Sequence, residues 1–370
     1  MKVGMFYPFK EIIPGGGEKY LLTIAEVLSR EHQVCLLSHH HFDYKSIARR
    51  LNVNLDRVHF SVLPYGRTKR ILAGLFKKEY DLFVTMSNHI YPYLFSQGRK
   101  GIFHIQFPFL ERYERCPVLN IPSRFLSFIM LQSYDSIICN SSFTRRWIEK
   151  RCAKKVPVDV LYPPCDVEQF VPGNKENSIL SVGRYFVGWH NKKQLEMVAI
   201  YKKMVDGGLT GWEYHQVGST LPGSIHQEYL NSVRDASRGY PIFIHTDVSF
   251  EEMKALYAQS RIYWHATGLD EDETSYPERM EHFGISTVEA MAAGCVPVVI
   301  NRGGQPEIVT HGVNGMLWDT EEQLVEYTRT LADDEAYRQE LSLNAIKRAG
   351  VFSKKHFERN FSAIIAQWGS

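Results

Sequence analysis

Val3-Gly-Met-Phe-Tyr7, the turn Pro14-Gly-Gly-Gly-Glu-Lys19, a helical face of Leu21, Ile24, Ala25 and Leu28, and Val34-Cys-Leu-Leu37 follow one another at the start of the chain. Short apolar runs separated by a segment of helical period read as strand, turn, helix and strand. The rhythm continues through Val58-His-Phe-Ser-Val-Leu63, Leu82-Phe-Val-Thr85, Ile102-Phe-His-Ile105 and Ile137-Ile-Cys139. Near-continuous apolar strands alternating with helices predict parallel strands covered on both faces, a doubly wound α/β domain. Pro163, Pro164, Pro172 and Gly173, with polar neighbours to Ser178, read as a linker. The rhythm then restarts with Ile179-Leu-Ser-Val182, Tyr214-His-Gln-Val217, Ile242-Phe-Ile244, Ile262-Tyr-Trp264 and Pro297-Val-Val-Ile300. Two α/β domains are expected, over 1–165 and 176–350, their sheets facing each other across a cleft at the strand C-termini. Phe357, Phe361, Ile364, Ile365 and Trp368 share one helical face behind Ser353 as N-cap. A last helix over 353–370 is therefore expected to pack across the domain junction.

Composition narrows the function. The chain has 370 residues, enough for roughly two domains, with 44% hydrophobic and 23% charged residues, as in a soluble globular enzyme. Lys plus Arg number 43 against 41 Asp plus Glu, a net charge of +2. No whole-chain field favours nucleic acid, so an anionic ligand needs a local cluster. Six cysteines without a Cys-x-x-Cys pair argue against a disulfide scaffold or structural zinc and for a reducing compartment. Met1 to Pro8 is too short for a signal-peptide core. No window approaches the ~18 apolar residues of a membrane span, so a cytoplasmic protein is expected.

Three constellations sit where strands end. Gly15, Gly16 and Gly17 precede a helix, where bare amides and the helix dipole suit a phosphate, or where a tight turn needs glycine. Gly-x-Gly-x-x-Gly spacing is absent, which argues against a dinucleotide fingerprint. Ser181-Val-Gly-Arg184 ends a strand, and Trp189-His-Asn-Lys-Lys193 follows at a helix start. Cations there oppose the macrodipole by ~0.3–1 kcal/mol each, a cost that an anion held between Arg184 and Lys192 would reverse; a solvated basic turn is the alternative. Glu281-His-Phe-Gly-Ile-Ser-Thr-Val-Glu289 places two glutamates around a loop-to-helix junction. Ser286-x-x-Glu289 has capping-box form, with Ser286 as N-cap. Glu281 suits a sugar or ribose hydroxyl, or is one more acid of the polar run from Asp270. Asp270-Glu-Asp272 has a chelating form but lies in a long acidic loop, and His39-His40-His41 alternate sides after a strand, so neither is read as a metal site.

Together with Asn140-Ser-Ser-Phe-Thr-Arg145, Leu161-Tyr-Pro-Pro164 and Gly303-Gly304, these motifs resemble the family 4 retaining glycosyltransferases over nearly the whole chain. The resemblance implies the two-domain GT-B fold and transfer of a hexosyl group from a nucleotide-diphospho-sugar to a hydroxyl acceptor: a glycan, a lipid-linked molecule or a small molecule. It implies no metal or other cofactor. Arg184 and Lys192 would grip the donor diphosphate, with Lys193 and the amides of Gly15, Gly16 and Gly17 beside them. Glu281 and the backbone of Phe283, Gly284 and Ile285, with Thr287, would face the sugar, and Glu289 the ribose. Many relatives carry a histidine beside the reacting sugar. Here Gln106 aligns with it, and His104 lies two residues earlier on the same side of the strand, so either His104 substitutes or no histidine is needed. A silent nucleotide-sugar-binding protein, an epimerase and a phosphorylase are the competing readings. Gly66 to Lys78 mixes Arg67, Lys69, Arg70, Lys77 and Lys78 with Ile71, Leu72, Leu75 and Phe76, a pattern that suits an anionic membrane surface or an ordinary amphipathic helix.

Overall fold

The structure, a computed structural model, describes residues 1–9, 15–63, 78–109, 121–152 and 156–367. It divides into two units, Met1–Pro164 with Phe357–Ser370, and Cys165–His356. Pro14, the stretch Gly66–Lys78 except its last residue, and Trp368 lie outside the described residues. Lys78 itself is exposed, and its ammonium donates to the Ser96 carbonyl at 2.7 Å.

In the first unit, β1 (Lys2–Tyr7), β2 (Gln33–Ser38), β3 (Val58–Val62), β4 (Tyr80–His89), β5 (Gly98–Phe109), β6 (Ser136–Cys139) and β7 (Val158–Val160) form a sheet in the order β3-β2-β1-β4-β5-β6-β7. Every pairing is parallel. Helices α1 (Gly16–Ser29), α2 (Tyr44–Leu51), α3 (Ile121–Gln132) and α4 (Ser142–Arg151) run between the strands. The spacing of Leu21, Ile24, Ala25 and Leu28 drives all four into the core with Val3, Met5, Leu36 and Val84. Phe357, Phe361 and Ile364 of the last helix, Lys354–Ala366, join the same core. That helix starts where Ser353 Oγ accepts from the His356 amide at 3.3 Å.

The second unit repeats the plan with β8 (Glu176–Val182), β9 (Glu213–Gly218), β10 (Ile242–Thr246), β11 (Ser260–His265), β12 (Val296–Ile300) and β13 (Met316–Trp318), all parallel in the order β10-β9-β8-β11-β12-β13. Its helices are α5 (Gln194–Asp206), α6 (Ser224–Ser237), α7 (Phe250–Gln259), α8 (Ile285–Ala292), α9 (Gln305–Ile308), α10 (Glu321–Asp333) and α11 (Glu335–Ala349). Residues from Cys165 onward already pack on this unit: Phe170 is buried edge-on against Phe250 and Tyr257. In each sheet the strand order reverses beside its first strand, between β1 and β4 and between β8 and β11. Chains diverge there, and the carboxyl ends of those strands leave a crevice. Among the described residues no helix is long and apolar enough to cross a membrane.

Candidate active site

At the β8–β11 reversal the backbone leaves β8 through Gly183, whose amide donates to the Val217 carbonyl at 2.8 Å. A Cβ on Gly183 would lie 2.7 Å from Lys192 Cγ, so glycine here lets the Lys192 side chain run across the strand end. The buried Gln194 donates to the carbonyls of Gly183 (3.2 Å) and Arg184 (3.1 Å) and fixes this loop to the start of α5. Lys192 Nζ reaches Glu281 Oε2 at 2.5 Å. The same oxygen lies 3.0 Å from Nε2 of His265, the last residue of β11. Both ends of the ion pair are mostly buried, with side chains 22% and 15% exposed. Burial pushes the Glu281 carboxyl up, but the Lys192 ammonium, the His265 hydrogen bond and the His190 ring together hold it well below the usual carboxylate range. Burial keeps His265 neutral at physiological pH. His190, edge-on to His282 with ring centres 4.3 Å apart, is pushed down to about 4 by burial and by the charges of Lys192 and Arg184. The site is therefore one carboxylate and two cations among neutral imidazoles. Arg184 itself is exposed.

The loop carrying Glu281 is shaped by glycine. Gly304 donates to the Glu281 carbonyl at 2.7 Å, and side chains on Gly303 or Gly304 would collide with the Glu281 and His282 carbonyls at 2.3 and 2.5 Å. Gly284, at φ 118°, turns the chain into α8, and its own Cβ would lie 2.5 Å from Gln305 Nε2. The helix thus begins at Ile285 with Gly284 as N-cap and no side-chain cap. The capping box predicted from Ser286-x-x-Glu289 does not form, because the left-handed glycine starts the helix two residues early. Ser286 Oγ instead accepts from Tyr263 at 2.8 Å, and Glu289 Oε2 from Tyr257 at 3.2 Å. First-turn amides of such a helix lack intrahelical acceptors and point toward the loop. Thr287 is buried and donates to Gln305 Oε1 at 3.0 Å, so it braces the turn. Phe283 is buried against Phe352. Lys193, at φ 58°, caps α5 from outside, and its ammonium pairs with Glu271 at 3.2 Å and Glu196 at 3.8 Å. Glu271 also takes Arg279 at 2.7 Å, which folds the acidic loop, and Asp272 accepts from the Thr274 amide at 2.9 Å. Among the described residues no group of three or more His, Cys, Asp or Glu could hold a metal ion.

In the first unit, Gly15 caps α1 and Gly16 begins it. Gly17 lies against β5: a Cβ there would sit 1.7 Å from Gln106 Nε2. The structure therefore brings Gln106 to the N-terminal end of α1. His104, one pleat back, stacks on Tyr20 of α1 at 4.0 Å with its Nδ1 3.3 Å from the Ile138 carbonyl. It is fully buried, and desolvation lowers its pKa to about 3. His104 is a core residue here, and Gln106 is the one beside the start of α1. The side-chain oxygen of Asn140 accepts from Thr144 at 2.7 Å and Ser141 at 3.3 Å, while Ser141 caps α4.

His265, Thr267 and Gln194 complete the site without belonging to any of the motifs above. The signal for His265 was its place directly after the strand Ile262–Trp264, at a carboxyl end. Gln194 gave none, since a buried amide tying down a loop has no pattern.

Residues 14–169 match the family described as Glycosyltransferase Family 4, and residues 168–348 match Glycosyl transferases group 1. The chain is 26% identical over 254 residues to the Homo sapiens Alpha-1,3/1,6-mannosyltransferase ALG2, covering 59% of this chain and 56% of that protein. It is 28% identical over 257 residues to the Xenopus laevis GDP-Man:Man(3)GlcNAc(2)-PP-Dol alpha-1,2-mannosyltransferase, covering 62% and 48%. It thus spans about half the length of the curated relatives it matches. The crystal structure of Anabaena Alr3699/HepE in complex with UDP and glucose is similar with a TM-score of 0.72 at 16% identity, over 99% of this chain and 100% of that one, a likeness of fold. The two family matches run continuously from residue 14 to residue 348, and the chain belongs to the group 1, family 4 glycosyltransferases.

Proposed function

We propose that the protein is a retaining glycosyltransferase that moves a hexosyl group from a nucleotide-diphospho-sugar, bound at the strand ends of the second unit, to a hydroxyl acceptor. The observation that carries this reading is the Lys192–Glu281 pair at 2.5 Å, set at the β8–β11 reversal beside the uncapped start of α8. Lys192 and Arg184 offset the charge that grows on the departing diphosphate. Glu281 accepts from a sugar hydroxyl, Glu289 from a ribose hydroxyl, and the amides of the Phe283–Ile285 turn hold the sugar. The C1–O bond to the diphosphate breaks as the bond to the acceptor oxygen forms on the same face, and the acceptor proton passes to the leaving phosphate oxygen. Lys192 and Arg184 do the work of a divalent cation, and the reaction needs no metal. Two relatives bear mannosyltransferase names, one of them naming GDP-Man and a PP-Dol acceptor, and this supports GDP-mannose and a lipid-linked acceptor as the first pair to try.

The test is a panel of UDP- and GDP-sugars scored for nucleotide release in the presence of EDTA, with the product anomer read by NMR. Release from one donor, unaffected by EDTA and with the anomeric configuration kept, is expected. An inverted anomer or a strict metal requirement would refute those two assignments. Tight binding without release after a broad acceptor screen would make the protein a nucleotide-sugar sensor.

A further inference from the structure

Glu281 makes both of its side-chain hydrogen bonds through one oxygen. Oε2 takes Lys192 Nζ at 2.5 Å and His265 Nε2 at 3.0 Å, and no described residue bonds Oε1. An ammonium alone does not hold a carboxylate in one orientation, since its three donors sit on a flexible four-carbon stem. A buried imidazole does, because the packing around it leaves its two side-chain torsions little freedom and so fixes its donor direction. His265 is buried in β11, and Nδ1 has no hydrogen-bond partner among the described residues. A proton on Nδ1 would be a buried donor left unsatisfied, whereas a proton on Nε2 points at Glu281. Thr267 Oγ1, 3.3 Å from the same nitrogen, is placed to accept as well. The charged and titratable groups around this point are Lys192 and His190 from the β8–α5 loop and Glu281 and His282 from the loop before α8.

We infer that His265 is a positioning residue: its neutral Nε2–H form pins Oε2 of Glu281 and thereby holds Oε1 open toward a donor hydroxyl. The inference rests on the donor site proposed above, but its structural half stands or falls without turnover. With Lys192 present, a second positive charge beside Oε2 is disfavoured and the imidazole stays neutral. Burial is the larger cause of that neutrality; without Lys192, Glu281 keeps His265 as its side-chain partner among the described residues, and the imidazole binds a proton more readily.

The experiment is ¹⁵N NMR of the full chain labelled at histidine, with the His265 signals identified as those lost in His265→Gln. The neutral Nε2–H tautomer is expected at pH 7. In Lys192→Met the titration midpoint of the same ring should move up by about one pH unit, as a neighbouring charge of this kind does, while Lys192→Arg should leave it in place. An Nδ1–H or charged ring in the wild type, or an unmoved midpoint in Lys192→Met, would overturn the inference. Kinetics then read the positioning role. Gln places an amide donor where Nε2–H was, so His265→Gln should keep kcat within about threefold. His265→Phe, which fills the space without a donor, should lose at least about tenfold in kcat. Equal losses in both variants would mean that the ring serves packing alone. If the NMR results hold and no nucleotide sugar is turned over by any form, the transferase reading fails and the His265–Glu281 lock remains.

Discussion

Gln106 and Gly17 show how one residue's space is another's position. Glycine at the second position of α1 is a poor helix former, so its replacement by alanine should favour the helix by up to about 1 kcal/mol. The new methyl would occupy the place of the Gln106 amide, the free end of a flexible side chain, which would turn away. Gly17→Ala is thus expected to keep its thermal unfolding temperature while its donor turnover falls to the level of Gln106→Ala. A variant as active as wild type would show that turnover does not depend on Gln106. This residue-level detail was only half legible in the sequence. His104 and Gln106 share a face by strand period, and period says nothing about depth along the strand. The stacking of His104 on Tyr20 and the approach of Gln106 to Gly17 separate the core member from the one beside α1.

Elements were read more reliably where they were long. Val3–Tyr7, Val34–Leu37, Leu82–Thr85 and Pro297–Ile300 all lie within strands of the two parallel sheets. The edge strands β7 and β13 have three residues each, too few to show a period, and the sequence reading contains neither. Helix α8 takes its cap two residues before Ser286 for a different reason. Ser286-x-x-Glu289 satisfies the local capping rule, but Gly284 packs against Gln305 and the Gly303–Gly304 turn locks the preceding loop, so tertiary contacts choose the earlier start. Gly284→Ala would combine left-handed strain with a collision. It should lower stability by about 1–3 kcal/mol in urea unfolding and cut turnover, because the Glu281 loop feeds directly into this turn. A variant with unchanged stability would show that the α8 turn tolerates a side chain.

Across the whole molecule, neutral imidazoles make stability depend on pH. His104 titrates near 3 when folded and near 6.5 when unfolded, so below about pH 6.5 the unfolded chain binds the extra proton and stability falls, until the folded ring itself titrates near pH 3. At pH 5 this one residue should cost about 2 kcal/mol relative to pH 7. His282 and His265, also held below their ordinary range by burial, act in the same direction. Urea unfolding at pH 7 and pH 5 should show the loss, reduced by about 2 kcal/mol in His104→Phe; an equal loss in that variant would mean that His104 is not kept neutral by the fold. The two-unit α/β plan itself was legible because a repeated strand–helix rhythm survives any loop. Of the candidate site, the sequence offers the charged pair, since Lys192 and Glu281 lie in motifs, whereas His265 and Gln194 are recognisable only by what they touch. In the proposed reaction, the cations at the β8 end stabilise the departing diphosphate. The most direct measurement is steady-state nucleotide release from the cognate donor by wild type, Lys192→Ala and Arg184→Ala. Each substitution should lower kcat by about 10²-fold, the scale of losing one preorganised charge partner in the transition state. Wild-type kcat in both variants would contradict the claim.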